Sequence, residues 1–237
     1  MVKYSRILLK LSGESIGGKE GNGIEESVLS QYAGEIAEIL TFGVEVAVVI
    51  GGGNIFRGIP GTERGFDRVK GDQMGMLATV INSIALSVAL SRKSVESRVY
   101  TSTKMEPYAT YYTRESADKS MRKGKVAIIA GGTGNPFFTT DSASALRAAE
   151  LGVSALLKGT RVDGIYTADP EREPAAVKYR SLTYNRAIEE NLKVMDMTAF
   201  AICRENKIPI VVFDMNRQGN LLKLIKGEDI GTLVHGS

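Results

Sequence analysis

The chain has 237 residues, 43% of them hydrophobic and 24% charged, an ordinary globular balance with enough apolar side chains for a substantial core. With 30 Lys and Arg against 27 Asp and Glu, the net charge is only +3 and no basic run stands out, so a nucleic-acid partner is not expected. The single cysteine, Cys203, rules out an intrachain disulfide, and the single histidine, His235, all but excludes a histidine triad or a multi-histidine zinc site.

In chain order, Ile7-Leu8-Leu9-Lys10-Leu11 reads as a first strand, running into the small-residue turn Ser12-Gly13-Glu14-Ser15. Lys10 interrupts an otherwise buried strand near its carboxyl end. A lysine there is costly unless its ammonium meets an anion or snorkels out from a sheet edge. Residues 17–23 (GGKEGNG) read as a mobile loop. Val28, Leu29, Tyr32, Ile36, Ile39 and Leu40 then recur at helical spacing, with Ser27 as the expected N-cap and Gly43 past the end. Residues 44–50 are the second strand, followed by Gly51-Gly52-Gly53-Asn54 and by Arg57, placed to clamp a phosphate with its planar fork, a plain surface arginine being the alternative. Residues 58–70 read as an irregular connection. A long helix is predicted over 72–96, with Met74, Leu77, Ile81, Ile84, Val88 and Val95 on its apolar side as core or subunit-contact residues. Asp72 falls at its start, where a carboxylate either complements the helix dipole or accepts from a ribose.

A short strand at 98–101, a tyrosine-rich connection at 107–113 and a helix at 114–123 lead to the stretch around which the chain is organised, residues 125–144 (KVAIIAGGTGNPFFTTDSAS). It begins as a strand buried on both faces and opens at once into Gly131, Gly132 and Gly134, whose missing Cβ atoms leave backbone N–H groups accessible. Thr133, Asn135, Thr139 and Thr140 surround that bare backbone with hydroxyl and amide groups. Asp141 sits at the expected N-cap of the helix SASALRAAEL, which Gly152 ends. Strand, glycine loop and helix start together suit an anion or a nucleotide. Residues 155–158 form another strand. In the polar stretch 159–170, Tyr166 and Asp169 fit a stacked base and a sugar hydroxyl, or merely a hairpin held by its Asp163-Gly164 turn. Asp196 begins the helix MTAFAICREN, with Cys203 packed in the core. A strand at 208–213, a short helix at 221–226 and an edge strand at 232–235 complete the chain. No apolar run reads as long enough to span a membrane, and residues 1–15 lack a signal peptide's apolar core, so a cytoplasmic protein is expected. Alternating strands and helices imply an α/β fold with a mainly parallel sheet, built as one domain with two lobes about a ligand groove.

There is no G-x-x-x-x-G-K-[ST], no complete G-x-G-x-x-G, and neither the H-R-D nor the D-F-G of protein kinases. Lys10, Arg57 and the glycine amides nonetheless supply positive potential for more than one phosphate, and phosphoryl transfer needs little beyond two anions held in line with their charge neutralised. The segments K-L-S-G-E at 10–14, G-G-G-N-x-F-R-G at 51–58 and G-D-x-M-G-M-L-A-T at 71–79 resemble those of bacterial uridylate (UMP) kinases. So do G-T-G-N-P-F-F-T-T-D-S-A at 132–143, V-D-G-I-Y-T-A-D-P at 162–170 and K-V-M-D at 193–196. The likeness runs from Arg6 to Leu233.

The resemblance implies the three-layer αβα sandwich of the amino-acid-kinase fold and transfer of the γ-phosphoryl group of ATP to UMP. It implies that Lys10, Leu11, Ser12 and Gly13 hold ATP phosphates beside Gly53 and Arg57, and that Thr160, Tyr166 and Asp169 line the nucleoside end. Gly52, Asp72 and the run Thr133, Gly134, Asn135, Pro136, Phe137, Phe138, Thr139 and Thr140 would bind UMP. Asp141 would orient the phosphate-binding lysine. Mg²⁺ would travel with ATP rather than sit in a protein cage, with Asp196 a weak candidate ligand. The family further implies a homo-oligomer, a hexamer by resemblance, with GTP as activator at a site including Arg98 and Lys125, and UTP as inhibitor. Two rivals stand beside this reading: a sister enzyme phosphorylating a carboxylate or carbamate, and a non-catalytic nucleotide-binding or storage protein on the same fold.

Overall fold

Six residues, Arg6–Leu11, form strand β1 of the computed structural model, and every one after Arg6 is buried. The structure describes residues 2–56, 65, 67–168, 170, 172–173, 175–190, 192 and 195–236. Arg57 and Asp169, with Lys193 and Val194 of the K-V-M-D segment, lie outside them. Strand β2 (Glu45–Ile50) pairs parallel with one edge of β1 and β6 (Ala155–Thr160) with the other. The remaining strands are β3 (Ser97–Thr101), β4 (Thr110–Tyr111), β5 (Val126–Ala130), β7 (Ser181–Thr183), β8 (Ile210–Asp214) and β9 (Thr232–His235). Together they make a nine-stranded sheet in the order β4-β3-β5-β2-β1-β6-β8-β9-β7. Among these pairings β8–β9 alone is antiparallel.

Period-two alternation assigns the two faces. Ile7, Leu9 and Leu11 point to one core, shared with helices α2 (Glu26–Leu40), α3 (Arg68–Arg92) and α8 (Asn220–Lys226). Leu8 points to the other, shared with α4 (Arg114–Arg122), α5 (Thr140–Leu151), α6 (Tyr184–Glu189) and α7 (Met197–Glu205). Lys10 falls on the Leu8 face, and Lys158, its register partner on β6, falls beside Leu156 on the same face. Both glycine loops leave the carboxyl ends of their strands, where doubly wound sheets gather their ligands.

Several boundaries differ from the sequence reading. Ser12-Gly13-Glu14-Ser15 is not a plain turn: Gly13–Ile16 is a helix, α1, followed by a 3₁₀ turn at Gly18–Glu20 within the expected mobile loop. Helix α2 starts at Glu26, behind Glu25 rather than Ser27. Helix α3 starts at Arg68 because Asp67 caps it, its carboxylate accepting from the Lys70 N–H at 3.1 Å, so Asp72 lies a full turn inside and not at the start. The cap of α5 is Thr139, whose hydroxyl accepts from the N–H groups of Asp141 and Ser142; Asp141 sits in the first turn. The 107–113 connection contains β4, and β7 with α6 went unread. The strand at 232–235 is interior, since β7 covers it and takes the edge.

Helix α3 bears on two further expectations. Its 25 residues are long and apolar enough to cross a membrane by length and composition, but it packs against α2, β2, β3 and β5 as part of the fold. Its large apolar side chains are divided between two faces, with Leu86 and Leu90 buried in the core. Leu77, Ile81 and Val88 are 51%, 49% and 51% exposed, with Ile84 beside them, while the buried face carries Ala78, Thr79, Asn82, Ser83 and Leu86.

Candidate active site

At the carboxyl ends of β1 and β6, Lys10 and Lys158 stand in register on one face of the sheet. The first turn of α5 brings Asp141 between them. Lys10 Nζ lies 2.7 Å from Asp141 Oδ1, and Lys158 Nζ donates to Oδ2 at 2.7 Å. All three side chains are largely withdrawn from solvent. Burial by itself would raise the Asp141 carboxyl, but the charges and hydrogen bonds of the two ammoniums outweigh it and hold the pKa at about 2. Burial, and then the like charge of Lys10, lower the pKa of Lys158 in spite of Asp141. Two ammoniums on one carboxylate leave the cluster one net positive charge.

Lys158 was missed by the sequence reading, although its signal was visible. Leu156-Leu157-Lys158 repeats the Leu8-Leu9-Lys10 pattern, a lysine closing a run of buried aliphatics.

Two hollows flank the cluster. One, of about 650 Å³, is lined by Lys158, Thr160, Ile165, Tyr166 and Val212. The Thr160 hydroxyl is spent locally, donating to the Val162 carbonyl at 2.7 Å, and the Tyr166 hydroxyl donates to Asp163 at 2.6 Å. The other, of about 120 Å³, is lined by Gly52, Asp72, Thr79, Gly132, Phe138 and Thr140. Thr140 immediately precedes Asp141, so the Lys–Asp–Lys cluster stands at the seam between the hollows. Gly53 lines a third depression with Lys19, Asn22 and Arg161.

Close approach dictates two of the glycines. A Cβ at Gly13 would stand 2.5 Å from the Gly51 carbonyl oxygen, and one at Gly52 would stand 2.7 Å from Ala78 Cβ. The loops after β1 and β2 therefore touch each other, and the β2 loop touches α3, through bare backbone. Leu11, Ser12 and Gly13 lie at this contact rather than on the wall of either hollow. Of the 133–140 run, Phe138, Thr139 and Thr140 reach the smaller hollow. Thr133 to Phe137 extend beyond it, with Phe137 66% exposed.

Asp72 Oδ2 accepts from the Phe137 N–H at 2.8 Å, and the carboxylate also takes the Arg68 guanidinium at 2.9 and 3.0 Å. It therefore orders the glycine loop as well as facing the hollow. Asp196 caps α7 by accepting from the Ala199 N–H at 2.8 Å, and it also accepts from the hydroxyls of Thr139 and Ser142. With three protein donors on its two oxygens, its geometry does not support the reading as a magnesium ligand. Among the described residues, no group of three or more His, Cys, Asp or Glu is placed to hold a metal ion. Arg98 and Lys125 come together on a separate depression of about 360 Å³, with Lys119 and Lys123 beside them and Lys125 also paired to Glu96.

Comparison with known proteins agrees with this architecture. The model of the amino acid kinase family matches residues 5–214. A uridylate kinase of Bacteroides thetaiotaomicron is 58% identical over 235 residues, which is 99% of this chain and 100% of that protein. One of Parabacteroides distasonis is 57% identical with the same coverage. The crystal structure of UMP kinase from Bacillus anthracis superposes with a TM-score of 0.95 at 40% identity, over 98% of this chain and 96% of that one.

Proposed function

The chain belongs to the amino acid kinase family, among its bacterial uridylate kinases, and from that premise we propose that it transfers the γ-phosphoryl group of ATP to UMP, giving ADP and UDP for pyrimidine nucleotide synthesis. The observation that carries this reading is the Lys10–Asp141–Lys158 cluster at the seam between a larger and a smaller hollow. The larger takes ATP, its nucleoside end against Thr160 and Tyr166, with Asp169 expected beside them by family likeness. The smaller takes UMP between Gly52, Asp72 and residues 133–140. The chain then works as one domain with two lobes that meet at the cluster.

An oxygen of the UMP phosphate forms the new bond to the γ-phosphorus as the bond from that phosphorus to the β,γ-bridging oxygen breaks, and ADP leaves with the electron pair. The attacking phosphate is already an anion near neutral pH, so no general base is required. Lys10 and Lys158 neutralise the charge that shifts toward the bridging oxygen, and Asp141 holds both ammoniums in place before the substrates arrive. By family likeness, Arg57, Gly53 and the segment Leu11-Ser12-Gly13 would complete the phosphate cradle once the substrates are bound. Mg²⁺ would come with ATP rather than in a protein cage, since Asp141 and Asp196 are engaged by protein donors, and it would supply charge neutralisation on the phosphates.

Two regulatory readings accompany the reaction. The exposed stripe Leu77, Ile81, Ile84 and Val88 supports association of copies through α3, in a hexamer by family likeness. The basic depression at Arg98 and Lys125 supports an anionic effector, GTP, while UTP competes at the UMP site. We place the enzyme in the cytoplasm; its Cys203 thiol is buried and pushed up to about 12, so it is inert as a redox group. The test is ADP release with ATP and UMP, CMP, glutamate or aspartate as acceptor. Turnover with UMP far above the others is expected. Turnover only with a carboxylate points to a sister enzyme, and none with any acceptor points to a binding protein; either result overturns the proposal.

A further inference from the structure

Helix α3 turns its polar side inward. Thr79 is 3% exposed and Asn82 0%, although large aliphatic residues of the same helix lie outside. Polar groups are costly to bury unless each finds a partner, and both of these find theirs in the glycine loops. The Thr79 hydroxyl donates its one proton to the Met76 carbonyl at 2.6 Å and accepts from the Gly131 N–H at 2.8 Å. Gly131 is the first residue after β5, in the left-handed region at φ 77°. One turn further, Asn82 Nδ2 donates to the Gly51 carbonyl at 2.7 Å and to Asn54 Oδ1 at 2.7 Å. Asn54 Nδ2 donates back to Asn82 Oδ1 at 3.1 Å and onward to the Gly23 carbonyl at 2.6 Å, while the Gly23 N–H donates to the Asn54 carbonyl at 3.0 Å.

Three residues along a rigid helix, a rise of about 4.5 Å, therefore fix the loop after β5, the loop after β2 and the exit of the 17–23 loop. Thr79 borders the smaller hollow, but its proton and the Asn82 amide are committed within the protein, so both groups act on the loops. We propose that Thr79 and Asn82 are positioning residues that set the spacing of the two glycine loops, and through it the alignment of the acceptor phosphate with the Lys10–Asp141–Lys158 cluster. This rests on the placement of UMP between those loops. Thr79 acts on Gly131 and so on the acceptor side; Asn82 acts on Gly51 and Asn54, between acceptor and donor.

The variants are Thr79→Val, which keeps the branched shape and loses the hydroxyl, and Thr79→Ser, which restores it. Both are assayed with whichever acceptor the wild type phosphorylates, so that a wrong acceptor and a wrong positioning role give different results. Misplacing reacting groups by about 1 Å costs about a hundredfold in rate. Thr79→Val is expected to lose between about tenfold and that figure in kcat and to raise the KM for the acceptor, with the KM for ATP unchanged. Thr79→Ser is expected to recover most of the loss. Wild-type kinetics in Thr79→Val, equal losses in Val and Ser, or a matching rise in the KM for ATP overturn the proposal. If Thr79→Val does not fold, Asn82→Ala carries the test at saturating substrates: kcat is expected to fall at least about tenfold, and an unchanged kcat overturns it.

Discussion

Replacing Asp141 by Asn tests the centre of the site most directly. The carboxylate balances two ammoniums, each 2.7 Å away. An amide of the same shape offers one acceptor oxygen and one donor group, so one lysine keeps a neutral partner and the other faces an N–H. Removing one member of a buried ion pair costs about 3–5 kcal/mol. The Asn variant falls toward the lower end because its shape is retained. A figure of the same order follows from the electrostatics of the site. With Asp141 held at about 2 against an ordinary 3.8, the difference is worth roughly 2.5 kcal/mol. Its sign follows from linkage: a depressed carboxyl contributes stability that is complete above about 3.8 and is lost as pH falls toward about 2. Urea unfolding of wild type and Asp141→Asn should therefore differ by about 3 kcal/mol from pH 7 down to about pH 4, and the gap should narrow only below that. With the lysines no longer held for the phosphates, kcat in an ADP-release assay should fall by about 10²–10³. A variant with kcat within about threefold of wild type and an unshifted urea midpoint refutes this account of Asp141. So does a stability gap that closes between pH 7 and pH 5, because the group responsible would not be a strongly depressed carboxyl.

The other predictions concern single contacts. Lys10→Ala should lower kcat about a hundredfold in a protein with unchanged circular dichroism, and near-normal kcat in the folded variant rejects the role. Asp72→Asn should raise the KM for UMP more than that for ATP, by the loss of a charge-assisted bond of about 1.5–3 kcal/mol. A rise for ATP alone would show that Asp72 serves the other substrate. Ile81→Glu puts a charge on the outward stripe of α3 and should give a smaller, folded species in sedimentation velocity at micromolar concentration; wild type already sedimenting as a monomer would refute the stripe as an interface. GTP should activate only weakly, because Ser87 and Ser91 near the end of the long helix offer no positive charge to its phosphates, and each missing phosphate contact removes about 1–3 kcal/mol. Strong activation at low micromolar GTP, titrated at subsaturating ATP with UTP inhibition alongside, would show that Arg98, Lys125 and their lysine neighbours suffice.

Much of the fold was legible from local pattern. Runs such as 7–11, 44–50 and 126–130 declare buried parallel strands because both faces are apolar, and the glycines behind them mark where backbone must come close to something. Caps were harder. Ser27, Asp72 and Asp141 each looked like a helix start, yet Glu25, Asp67 and Thr139 precede the helices, because several polar residues in a row compete and tertiary contacts choose among them. Short elements such as β4, β7 and α6 carry too few residues for any period to show.

What the sequence determined by itself was the class of chemistry: glycine loops at strand ends, a lysine in a buried strand, and ordered segments shared with uridylate kinases. What only the tertiary structure decided was which groups meet. Lys158 joins Lys10 because β6 pairs with β1 in a register that no local pattern encodes, and Asp141 reaches both only because α5 starts above that pair. Helix α3 shows the same division. Its composition announces an apolar helix, but the side chosen for burial is the one whose threonine and asparagine satisfy the backbone of two glycine loops. Those loops must have their polar groups paired once buried, whereas leucine and isoleucine on the outer side can be covered by another copy.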